Sequence, residues 1–139
     1  RMTSFTSSLR PVYNYLSEHG VLYGGLAQQG EKMAEFLDAF WGAIRDECPV
    51  VFDEGDDYVI QKTAGIFSLH SILRDLLFEM HKESLRWTRE NFRREFETMP
   101  SIVTPSFWGR DGEAAKYGSM KGFRQLADLL RAERDDANS

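Results

Sequence analysis

The sequence predicts a mainly α-helical fold, a single compact domain of about five helices with at most one short β-hairpin. Three observations carry this expectation. Apolar residues recur at three and four over long stretches, which is the signature of a helix with one buried face. Glycine (11) and proline (4) are too sparse for a linker-rich or disordered chain. The length of 139 residues, with 42% hydrophobic residues and Phe (10) common, is enough to bury a core without metal or disulfide staples.

The first helix is expected over about Thr6 to His19, where Leu9, Val12, Tyr13 and Leu16 share helical spacing. Pro11 is tolerable only in its first turn, and Gly20 ends it. A second helix runs from about Leu26 to Glu47. Met33, Phe36, Leu37, Phe40, Trp41 and Ile44 form its apolar stripe, Glu31, Lys32, Glu35, Asp38 and Arg45 take the other faces, and Pro49 stops it. The stretch from Val50 to Gln61 reads either as a hairpin around the acidic turn 53–57 or as extended chain. The third helix, about Thr63 to Lys82, is the most apolar, with Ile66, Leu69, Leu73, Leu76, Leu77 and Met80 in register. It is the expected centre of the fold, with Gly65 small enough for another backbone to approach closely.

Ser84 is a candidate cap for a fourth helix reaching Thr98, and a long irregular segment from Met99 to Gly118 leads to a last helix over about Ser119 to Glu133. A loop of that length in a small domain is more often functional than ornamental. The domain is therefore expected to span 1–133, with the polar stretch 134–139 as a disordered tail. The opening Arg1-Met2-Thr3 suggests a fragment of a longer polypeptide.

A formal charge of −5 argues against a generally basic nucleic-acid-coating protein but leaves room for a local basic face. The single cysteine, Cys48, has no intrachain disulfide partner and no companion for a thiolate metal site, which fits a reducing, cytoplasmic compartment. No apolar run reaches the roughly 18 residues of a membrane span. The first residues, Arg1 to Leu9, lack the apolar core of a secretory signal.

The segment Phe107-Trp108-Gly109-Arg110-Asp111-Gly112, followed by Lys116, Gly118, Ser119, Lys121 and Arg124, is the leading candidate site. Gly118 and Ser119 would offer backbone N–H groups at a helix N-terminus, with Arg110, Lys116, Lys121 and Arg124 adding positive charge and Trp108 available to stack, so a phosphate or nucleic acid would fit. The competing reading makes the glycines turns, Ser119 a cap and Trp108 a core plug. No Walker A loop is present. A secondary basic face is formed by Arg86, Arg89 and Arg93, although the interleaved Glu90, Glu95 and Glu97 favour a salt-bridged, solvated helix. Asp53, Glu54, Asp56 and Asp57 lack the ligand spacing of an EF-hand and read as a hydrated turn. His70, on the apolar side of the third helix, reads as a hydrogen-bonded core histidine, with His81 near that helix's end and His19 at the end of the first. No catalytic constellation, metal site or cofactor is expected.

Phe40-Trp41-Gly42-Ala43-Ile44, then Cys48-Pro49, then Ile60-Gln61-Lys62-Thr63-Ala64-Gly65-Ile66 leading to Leu69 and Leu73, resembles the C-terminal half of DGQHR-domain proteins, which include the DndB-like proteins of DNA phosphorothioation systems. Phe107-Trp108-Gly109 and Gly118-Ser119 with Gly122 are similar to that family's closing segment. The pattern can be laid along roughly residues 5 to 132, without the Asp-Gly-Gln-His-Arg motif itself, which would belong to a preceding domain. The resemblance implies a DNA-modification or phage-defence setting in which this region is a non-catalytic helical domain. DNA and that N-terminal domain are then the expected partners. Lys62, Thr63, Gly65, Gly109, Gly118 and Ser119 carry across mainly as structural positions. A helical interaction or oligomerisation module, including a homo-oligomer, is the alternative.

Overall fold

The computed structural model describes residues 2–118 and 122–139. Two long helices follow the apolar stripes closely. Helix α3 spans Leu26–Glu47 and helix α5 spans Thr63–Lys82. The predicted first helix is divided into α1, Met2–Ser8, and α2, Arg10–Glu18, with the break at Leu9. Pro11 explains the division: it has no N–H to continue the ladder of α1, but it is accommodated in the first turn of a new helix.

The hairpin is replaced by helical turns. Val50–Asp53 forms a single-turn helix, α4, and Gly55–Asp57 a 3-10 turn. Pro49 stands at the N-cap of α4 with φ −59°, so the residue that stops α3 also starts the next turn. The only trace of β pairing among the described residues is one antiparallel bridge between Tyr58 and Gly109.

The fourth helix, α6, is shorter than expected, Arg89–Glu95. Ser84 does not cap it, because it holds φ +59° just beyond the end of α5. Thr88 caps instead, its hydroxyl accepting from the Asn91 N–H at 3.2 Å. The segment after α6 is a chain of single turns. It comprises 3-10 turns at Phe96–Thr98 and Pro100–Val103, helix α7 at Pro105–Trp108, and a 3-10 turn at Glu113–Tyr117. Trp108 is fully buried, and its Nε1–H donates to the Ile102 carbonyl at 2.8 Å. The Val59 N–H donates to the Trp108 carbonyl at 2.7 Å, which ties the segment to the chain ahead of α5.

Helix α8 covers Gly122–Asn138 and so runs through the stretch expected to be a disordered tail. Its last turns are held by Arg134, which pairs with Glu95 at 3.0 Å with both side chains only 16% exposed. Helix α5 lies at the centre, packed along α8 and against α1 and α2, while α3 packs against α6. Phe40, Ile44, Leu69, Leu73, Leu76, Phe92, Phe96, Trp108 and Leu130 belong to one continuous core. Gly65 is needed for that packing, because a Cβ there would stand 2.3 Å from the Ile60 carbonyl oxygen.

Candidate functional site: an aromatic groove beside a buried histidine

The segment expected to bind phosphate is largely occupied by internal partners. Trp108 is in the core and has no free face for a base. Arg110 donates from Nε and Nη2 to the Asp56 carbonyl at 3.0 and 2.8 Å and lies 3.8 Å from the Asp57 carboxylate. Lys116 pairs with Glu113 at 3.0 Å. Gly118 closes the 3-10 turn Glu113–Tyr117. Arg124 is exposed, with its guanidinium 5.9 Å from the Phe123 ring centre. Ser119 and Lys121 lie outside the described residues.

The secondary basic face is likewise paired. Arg89 grips Asp46 with two hydrogen bonds of 2.7 and 2.6 Å, and Arg93 holds Glu47 at 3.0 and 2.7 Å. The Arg89 contact holds the Asp46 carboxyl below the usual carboxylate range. Gly42 makes room for this guanidinium, since a Cβ there would lie 2.8 Å from its central carbon. Arg86 makes no ion pair among the described residues.

The structure instead builds a groove of about 1030 Å³ between α1, α3, α4 and α5. Phe5, Leu37, Trp41, Phe52 and Ile66 supply its apolar wall, with Asp38, Gln61, Arg45 and Arg89 around it. Three of these residues, Leu37, Trp41 and Ile66, were legible as members of helical stripes. Their convergence on one groove was not, because it depends on how α1 and α4 fold back.

Trp41 is fixed by chemistry behind the wall. Its indole Nε1–H donates to Nε2 of His70 at 3.0 Å. An indole nitrogen only donates, so Nε2 of the neutral imidazole must accept, and the ring proton sits on Nδ1. Nδ1–H then donates to Ser8 Oγ at 2.7 Å, and the Ser8 hydroxyl donates to the Phe5 carbonyl at 2.6 Å. His70 has no exposed surface, and burial lowers its pKa to about 4. The rings of Phe5 and Trp41 meet it edge-on at 5.2 and 5.6 Å.

This Ser–His contact is not a nucleophile and its base. A general base must present a lone pair to the hydroxyl proton, whereas Nδ1 presents a proton and the hydroxyl proton is already committed to Phe5. Cys48 is no better placed: it is 2% exposed, its thiol donates to the Ile44 carbonyl, and burial pushes its pKa up to about 11. Among the described residues no group of three or more His, Cys, Asp or Glu is arranged to hold a metal. No described helix is long and apolar enough to cross a membrane. No protein-family model, curated protein or solved structure matches this chain.

Proposed function

We propose that the chain is a non-catalytic helical interaction domain, and that the groove over Trp41 receives a segment of a partner protein carrying an aromatic or branched aliphatic anchor. The observation that supports this is a concave, largely apolar wall with a tryptophan that the His70 bond holds in one orientation. Burying an apolar anchor supplies the driving force, and a pre-ordered wall lowers the entropy lost on binding. Such grooves between helices are common docking sites for amphipathic segments. The resemblance to DGQHR-domain proteins supports placing this module in a cytoplasmic DNA-modification or phage-defence system. Direct DNA contact through Arg110, Lys116, Arg124 or the Arg89 and Arg93 face is the weaker reading, because most of these cations would first have to give up a carboxylate or carbonyl.

Peptide-display selection on the intact chain tests the groove. Selected peptides should share an apolar anchor and lose at least about tenfold in affinity against Leu37→Asp, a substitution on the half-buried wall. Peptides without such an anchor, or indifferent to Leu37→Asp while the circular dichroism is unchanged, would overturn the proposal. Light scattering on the same chain distinguishes a second copy from a foreign partner as the occupant.

A further inference from the structure

Apart from the groove, a second concavity is framed by three arginines from three helices. Helix α2 carries Arg10, Asn14 and Glu18 at four-residue intervals, which places them along one face. Helix α5 adds Ser71, Arg74 and Asp75, and α8 adds Arg131. The cleft measures about 510 Å³, within the roughly 300–1,000 Å³ of small-ligand pockets.

The three guanidiniums are not equivalent. Arg131 is fully engaged: Nε donates to Asp75 at 2.6 Å, Nη1 to Asp128 at 3.0 Å, and Nη2 to the Ser71 hydroxyl. Its charge is spent in neutralising Asp75. Arg74 reaches Asp75 only at 3.7 Å, beyond hydrogen-bonding distance, and Arg10 makes no ion pair among the described residues. Tyr15 also lines the cleft, and its hydroxyl makes no hydrogen bond within the described residues. Burial of the ring raises the pKa of that hydroxyl and keeps it a donor, and it lies within the field of Arg74. Two forked cations and a phenolic O–H are therefore left with donors to spare in one concave place. Elsewhere on this acidic chain Arg89, Arg93, Arg110 and Arg134 are all engaged.

We infer that this cleft binds a small phosphate-bearing molecule, with Arg10 and Arg74 gripping the phosphate oxygens and the Tyr15 hydroxyl and Asn14 amide completing the contacts. Guanidinium forks match phosphate oxygens in pairs, which favours a phosphate over a halide or a single carboxylate. Glu18 at the end of the α2 face and the chain's net negative charge repel a long polyanion, so the ligand is a small phosphate and not a nucleic-acid backbone.

The test is a nitrogen-15 NMR titration of the full chain with inorganic phosphate, and in a second arm with phenyl phosphate, at ionic strength held constant with sodium chloride. Saturable shifts are expected at Arg10, Asn14, Tyr15, Ser71 and Arg74. They should weaken at least about tenfold in Arg10→Gln with Arg74→Gln, and by less in Tyr15→Phe. Tighter binding of phenyl phosphate would assign an organic monoester, and equal affinities a free phosphate ion. No saturable shift with either probe, or shifts unchanged in the double variant, would overturn the inference. Both arginines are exposed, so the variant retains the fold.

Discussion

Trp41 and His70 are joined by a single hydrogen bond, indole Nε1–H to imidazole Nε2 at 3.0 Å, and that bond fixes where the imidazole carries its proton. It couples the groove wall to α1, because the same ring passes the other end of the contact to Ser8.

The coupling makes the fold sensitive to mild acid. His70 is neutral when folded, with a pKa lowered by burial from 6.5 to about 4. The unfolded chain takes up this proton more readily, so stability is full above pH 6.5, falls as the pH drops toward 4, and then levels. The loss attributable to this residue is about 3 kcal/mol at most. Urea unfolding across that range should show the slope in the native chain and a shallower one in His70→Asn.

Two glycines should respond in opposite directions. Gly65→Ala drives a methyl to within 2.3 Å of the Ile60 carbonyl oxygen, where only backbone can yield. A loss of about 1–3 kcal/mol or more is expected. Gly30 is an exposed residue inside α3 with nothing within 4 Å of its would-be Cβ. Gly30→Ala should stabilise by about 0.5–1 kcal/mol. Thermal unfolding of the two variants reads both signs.

The Arg134–Glu95 pair predicts a penalty for removing one partner alone. Arg134 Nη1 is buried with no hydrogen-bond partner among the described residues, so Glu95 is its principal compensation. Glu95→Ala should cost roughly 2–3 kcal/mol in denaturant unfolding. Glu95→Leu combined with Arg134→Met should cost less than the sum of the two single changes.

The carboxylates at the end of α3 restrain the Arg89 and Arg93 face. Asp46→Asn with Glu47→Gln removes the opposing charge from both guanidiniums. A labelled DNA duplex at low salt should then bind several-fold more tightly than to the native chain, with a log–log salt slope steeper by about two. Fluorescence anisotropy at two salt concentrations gives both quantities. Unchanged affinity would mean that this face does not meet phosphates even when freed.

The helical framework was readable because it follows from periodicity and punctuation. The stripes from Met33 to Ile44 and from Ile66 to Met80 located α3 and α5 to the residue, with Pro49 marking the boundary. His70 is the hydrogen-bonded core histidine its face implies, and His19 does end a helix. The Val50 to Gln61 segment misled because a Val-Val-Phe run suits a strand or a turn of helix equally, and Pro49, fixed at φ −59° at the N-cap, starts it as a turn of helix. The sites were harder. Arg110 looks free in sequence because its partner, the Asp56 carbonyl, lies 54 residues away, whereas the Lys116 pair with Glu113 is a three-residue spacing that the sequence offers once the segment is known to be helical. The Arg10, Asn14 and Glu18 face of α2 went unremarked, because nothing local indicates that Arg74 and Arg131 close around it.

The contact of Val59 with Trp108, together with the bridge from Tyr58 to Gly109, has a bearing on where this chain tolerates cutting or insertion. The stretch from Met99 to Gly118 looks like the natural place for a tag or a permuted terminus, yet it acts as a clasp that closes over the entry to α5. Opening it would leave the Val59 N–H without its acceptor and expose the face of Trp108. The turn Tyr23–Gly25 is the better site for fusion: its three residues are exposed, and Gly24 already holds φ +84°.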